Sequence, residues 1–166
     1  MNDQVKNGFW HFSLAFYDDP EVQGAFLNLQ DKFDADVNVV LFLLYVARLG
    51  QSVSFSSIAA IDRQVSAWRT EIVQPLRAIR RKLKDAALGI DGSTQENFRS
   101  KVKKLELHSE KIEQDYLSSI RLSEMTTMQP TDAARRNLTE YAAFIGADPE
   151  QPSLELLLRR FSNEDR

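Results

Sequence analysis

Five oxygen-bearing side chains crowd one short stretch of this chain: Gln30, Asp31, Asp34, Asp36 and Asn38. Hard cations such as Mg²⁺ or Ca²⁺ take ligands of this kind. The spacing is not that of a calcium loop, which needs a glycine at its sixth position and a glutamate at its twelfth. Asp34 and Asp36 also suit ordinary work, ending one helix and capping the next. Asn38 falls in the most apolar part of the chain, so burying it requires hydrogen-bond partners. Gln30 and Asp31 are the near candidates. Capping is the simpler reading of the cluster. The functional reading is a polar network around Asp31 and Asn38 that lines a pocket, completed by Asp36 and by Arg69 or Arg77. A carboxylate facing an arginine inside a helical bundle can clamp an anion. It is equally a buried structural ion pair.

A second constellation is basic: Arg77, Arg80, Arg81, Lys82 and Lys84, followed by Arg99, Lys101, Lys103 and Lys104. Arg77, Arg81 and Lys84 are spaced to share a helix face, with Arg80 beside it. Such a patch could contact phosphates. Asp85, Glu106, Glu110 and Glu113 interrupt it, and no helix-turn-helix or aromatic RNA-binding signature accompanies it. Nucleic acid is therefore the weaker reading, and an acidic protein partner the stronger. The two histidines, His11 and His108, are far apart and form no metal-ligand pair. Ser52, Ser54, Ser56 and Ser57 suit a turn and helix cap better than an active site. No nucleophile elbow, phosphate-binding glycine loop or dinucleotide fingerprint is present, so no cofactor and no metal is expected.

The elements that would position these residues are all helical. An aromatic segment, Phe9 to Tyr17, with Asn7 as a possible cap, stops at Asp18-Asp19-Pro20. Asp19 then caps a helix over Pro20 to Phe33. Val37 to Leu49 is apolar all round and belongs at the centre of the domain, between the Asp36 cap and Gly50. From Ile58 the apolar stripe steps by threes and fours through Ile61, Val65, Trp68, Ile72, Leu76, Ile79 and Leu83 to Ala87. Unbroken, that helix would span roughly 45 Å, against about 40 Å for a compact domain of this length. Pro75 therefore predicts a kink or break. Ser93 and Glu96 have capping-box spacing. They open a second long stripe, Phe98, Val102, Leu105, Ser109, Ile112, Tyr116 and Ile120. The two stripes predict a long antiparallel hairpin. Thr131 to Ile145 and a short helix from Leu154 to Phe161, capped by Ser153, complete the chain, and Ser162 to Arg166 should fray. No strand is expected. The fold class is an all-α, single-domain bundle of about six helices plus a short C-terminal one, over residues 1–166. Its core covers about 8–146, with a C-terminal extension over 147–166.

Several runs look familiar in their order. They are Tyr17-Asp18-Asp19-Pro20-Glu21-Val22, Leu27-Asn28-Leu29-Gln30-Asp31, Asp36-Val37-Asn38-Val39-Val40-Leu41-Phe42, Trp68-Arg69, and Pro75-Leu76-Arg77-Ala78-Ile79-Arg80-Arg81-Lys82-Leu83-Lys84. Over roughly residues 8–120 the chain resembles a small proteobacterial family of about this length, known only as a domain of unknown function. Glu21 departs from the glycine that family members favour there. The resemblance implies a bacterial cytosolic helical protein and no activity or catalytic residue.

Bulk properties bound the rest. The 166 residues carry net charge −3 and no cysteine. A chain of this size can bury about 70% of its unfolded surface without disulfides. The lack of cysteine fits a reducing compartment and removes thiolate chemistry. No signal-peptide pattern opens the sequence. The longest apolar run, Val37 to Ala47, is too short to span a membrane, so a cytoplasmic location is expected. Charge is segregated: residues 61–121 carry 13 basic and 9 acidic side chains, and both flanking segments are net acidic. The leading functional reading is a non-catalytic interaction or regulatory module, self-associating or binding a partner protein. Its contact surface would be the hairpin, with Trp68, Ile72, Leu76, Ile79, Arg80, Arg81 and Lys84 as candidates. The alternative is a small-ligand binder or enzyme built on Gln30, Asp31, Asp36, Asn38, Arg69 and Arg77. Whether the chain is an enzyme is not legible from these residues.

Overall fold

The computed structural model describes residues 3–85, 88–122 and 125–164. Ala87 and the Asp165–Arg166 terminus lie outside them. The aromatic segment forms α1 (Asp3–Tyr17), which begins before Phe9 and so leaves Asn7 inside the helix rather than at its cap. Phe9, Phe12 and Phe16 recur at helical spacing and are buried. Gly8 permits a close approach, since a Cβ there would meet the Tyr45 hydroxyl at 2.7 Å. Next comes α2 (Pro20–Phe33), capped by Asp19, whose carboxylate accepts from the Glu21 N–H at 2.8 Å. It ends where Asp34 turns into the left-handed region at φ 52°.

The central helix is α3 (Val37–Arg48), and it buries Val39 through Leu44, Val46 and Ala47. A helix without a polar face has to be surrounded, and α1, α6 and α7 do so. Two short strands depart from the all-helical expectation. β1 (Gln51–Val53) pairs antiparallel with β2 (Met125–Thr127), Ser52 opposite Thr126. Three residues cannot show a strand's alternation, so sequence pattern is blind to them.

The first arm of the hairpin is continuous. α4 (Phe55–Trp68) starts at Ser54, which accepts from the Ser57 N–H. A π-helical turn (Arg69–Val73) follows, then α5 (Gln74–Asp85). Pro75 therefore causes no break. The Gln74 N–H bonds the Arg69 carbonyl, five residues back, and this widened turn makes room for a residue that lacks an N–H and would clash one turn upstream. The extra residue has a second effect. It rotates everything downstream by about 100° relative to a regular helix. Val73 is buried, whereas Ile72 and Ile79 on the expected stripe are exposed.

The second arm is α6 (Gly92–Leu117). Its cap is Asp91, accepting from the Thr94 N–H at 2.9 Å, and Ser93 donates to that same carboxylate. This replaces the expected capping box. α7 (Pro130–Ile145) packs along α3 and contributes Asn137, fully buried. The Asn137 amide donates to the Leu43 and Gln51 carbonyls and accepts from the Val53 N–H at 2.7 Å. It ties the middle of α3 to β1. α8 (Pro152–Glu164) is capped by Gln151, which accepts from the Ser153 and Leu154 N–H groups, rather than by Ser153. Leu154, Leu157, Leu158 and Phe161 enter the same core as α3. The architecture is an all-α single-domain bundle with a long helical hairpin. No helix among the described residues is long and apolar enough to cross a membrane.

Candidate functional site

Asn38 does find partners, but neither is Gln30 or Asp31. Its Nδ2 donates to Glu113 Oε2 at 3.2 Å, and its Oδ1 accepts from Gln114 Nε2 at 2.9 Å. Both come from α6, more than seventy residues along the chain. Asp36 caps α3 by accepting from the Asn38 and Val39 N–H groups. Its other oxygen accepts from Arg69 Nη1 at 2.8 Å, and the same nitrogen reaches Asp62 at 2.6 Å. The Asp36 N–H donates to the Tyr141 hydroxyl at 2.9 Å. Burial disfavours the Arg69 charge, but hydrogen bonds and charge from Asp62 and Asp36 outweigh it and raise its pKa. Glu113 goes the other way for a carboxyl. Burial, then the neighbouring Asp36 charge, hold it well above the ordinary carboxylate range. Both effects favour the protonated Glu113 carboxyl, which eases the burial of two carboxyls side by side.

This network borders, through Asn38 and Gln114, an open cavity of about 390 Å³ walled by α1, α2, α3, α5 and α6. Its charged side is made by Arg77 and Arg80 against Glu106 and Glu110. Arg77 donates to Glu106 at 3.2 Å and to Glu110 at 2.9 Å. Arg80 makes two bonds to Glu106. Burial pushes the Glu110 carboxyl up, Arg77 opposes the shift and Glu106 adds to it. Burial and the Glu110 charge likewise raise the Tyr17 hydroxyl. Trp10, Leu14, Leu27, Val37, Leu41 and Leu107 supply apolar wall, with Ser13, Gln23, Gln30, Asn38 and Gln114 between them.

The structure therefore divides the sequence-derived candidates. Gln30, Asn38, Arg77, Arg80 and Arg81 line the cavity. Asp36 and Arg69 sit next to it inside the protein. Asp31 is exposed and meets Arg81 at 3.4 Å. Asp34 accepts from Gln74. The acidic cluster is split among separate tasks, and among the described residues no three potential metal ligands converge. Glu106, Glu110, Glu113 and Gln114 were not singled out as site residues. Their spacing of three and four residues makes a polar face on α6, and that face is the signal that could have found them.

Apolar surface is exposed on the outside of the hairpin. Ile72, Ile79, Phe98, Leu105, Ile112 and Tyr116 are each 37% to 56% exposed. Trp68 and Leu76 are half-buried between them and the core, with Trp68 Nε1 donating to the Ser109 carbonyl at 3.0 Å. That bond, Gln95 to the Leu83 carbonyl and Tyr116 to Gln64 fix the antiparallel register. It sets Ile79 level with Phe98 and Ile72 level with Leu105. Lys84 is exposed near the far end of α5.

No curated protein and no solved structure matches the chain. One family model does, over residues 8–117, which take in most of α1 and all of α2 through α6, and hence both arms of the hairpin. The chain belongs to the family described as protein of unknown function DUF2390.

Proposed function

We propose that this protein is a non-catalytic interaction module whose outer hairpin face receives an amphipathic helix of a partner protein, apolar along one stripe and acidic along its edges. The ladder of six large apolar side chains carries the reading. Contiguous exposed apolar surface, rimmed by polar residues, is characteristic of docking sites. A two-helix face of this kind matches a third helix laid along it. The acidic edges follow from charge complementarity, since exposed Lys82, Lys101 and Lys104 flank the ladder by helical spacing, with Glu71 and Asp115, the latter paired to Lys111, as acidic exceptions. Inside the fold, Asp36, Glu106 and Glu110 are each engaged by arginine, which supports a structural role for them. The cysteine-free chain suits a cytoplasmic setting.

The test uses a synthetic helical peptide with a leucine stripe and glutamate edges, titrated into the full chain while the Trp68 indole N–H is followed by NMR. Saturable movement of that resonance, lost in Leu105→Glu and not produced by a lysine-edged peptide, is the expected result. An unmoved Trp68 would overturn the proposal. So would a dimer in sedimentation that Leu105→Glu dissociates, because the occupant would then be a second copy.

A further inference from the structure

The inner cavity has a charge layout that the hairpin's own pairing does not consume. Arg77 and Arg80 are matched by Glu106 and Glu110. Arg81 and Lys103 also line the cavity, and both are exposed, which places them at its mouth. The Arg81 contact with Asp31 is between two exposed side chains at 3.4 Å and is screened by solvent. The mouth is therefore a cationic rim able to meet an anion.

At the inner end the demand is different. Ser13 and Gln114 line the cavity and are each only 3% exposed. The Gln114 amide nitrogen is used on Asn38, so its oxygen remains as an acceptor, and that oxygen has no partner; neither does the Ser13 hydroxyl. Buried polar atoms are paired in stable proteins, by protein, water or ligand. An unfilled acceptor asks for an O–H or N–H donor. Between rim and floor, Trp10, Leu14, Leu27 and Leu107 offer apolar contact. A cavity of this size with apolar wall between polar groups at its two ends can hold a small molecule and fix its orientation.

We infer that this cavity binds a small organic carboxylate, its anionic end held at the mouth by Arg81 and Lys103, its apolar body against Trp10, and an O–H or N–H donor at its far end meeting Gln114 and Ser13. The site lies on the opposite side of the hairpin from the docking ladder and does not depend on it.

The chain has two tryptophans, and each belongs to one site: Trp10 to the cavity and Trp68 to the ladder side. Their indole N–H resonances, assigned with Trp10→Phe, separate the two proposals in one spectrum. The probe is 4-hydroxyphenylacetate, which has the anion, the apolar body and the donor. It should shift Trp10 saturably and leave Trp68 in place. Phenylacetate lacks the donor and tyrosol lacks the charge, and each should bind about tenfold more weakly, the factor for loss of one well-made polar contact. The paired exchange Arg81→Glu with Lys103→Glu changes only exposed side chains and should weaken the anionic probe similarly while leaving tyrosol unchanged. No saturable Trp10 response, equal binding of all three probes, or a response indifferent to the rim exchange would each overturn the inference.

Discussion

Burial and Asp36 both oppose the Glu113 charge and raise its pKa, and this links stability to pH. A carboxyl whose pKa is higher folded than unfolded holds its proton more tightly in the native state. Its contribution is fully present below the unfolded value of about 4.5 and is lost as pH rises toward the folded value. Stability from this group therefore falls from mildly acidic through neutral pH. Glu113→Gln mimics the neutral acid and removes the proton. Its urea midpoint should decline less than that of the unaltered chain between pH 5 and pH 9, or roughly that interval. Arg69 makes the opposite prediction. Arg69→Ala leaves Asp36 and Asp62 without their shared cation and should cost about 3–5 kcal/mol in denaturant unfolding. At this scale the sequence showed the need and not the answer. Asn38 on an apolar helix announced a polar partner, and Asp36 and Arg69 were visible as a possible pair. Glu113 and Gln114 were hidden because their meeting with Asn38 depends on how α6 is rotated, which no local pattern states.

That rotation belongs to the elements. On α6 the apolar stripe through Phe98, Leu105, Ile112 and Tyr116 lies roughly 80° from the buried face, counting 100° per residue. The buried face carries Val102, Glu106, Ser109, Glu113 and Gln114. Facing it, the π turn brings Val73, Arg77 and Arg80 inward in place of Ile72 and Ile79. Reading periodicity at a constant 3.6 residues per turn located both helices and their hairpin and offered Ile72 and Ile79 as contact residues, but it could not see that the wide turn puts Val73, Arg77 and Arg80 on the buried side of the first arm. The energetics follow these faces. Leu105→Ser should change unfolding free energy by no more than about 0.5 kcal/mol, as exposed sites do. Val102→Ala, one turn away, should cost about 2 kcal/mol through lost burial and a cavity. Thermal or urea unfolding of the two variants decides between the observed faces and the stripe read from sequence.

For the whole molecule, helical class, the central place of α3 and the caps at Asp19 and Asp36 were legible because each rests on local chemistry, whereas the serine run before α4 did not say which serine caps it. The weight of the last helix was not legible. α8 lies against α2 and places Leu154, Leu157 and Phe161 in the core. A chain ending at Ala147 should lose cooperative unfolding, which circular dichroism on heating would show. The inside-out hairpin is the claim on which both proposed surfaces rest. It can be read directly because the chain has no cysteine of its own. Single exchanges Ile72→Cys and Leu105→Cys on the outer face, and Val73→Cys and Val102→Cys on the inner, would be timed against a thiol reagent under native conditions. The outer pair should label at the rate of a free thiol, and the inner pair only as fast as the protein opens. Equal labelling of Val73→Cys and Ile72→Cys, or protection of the outer pair with labelling of the inner, would contradict the account.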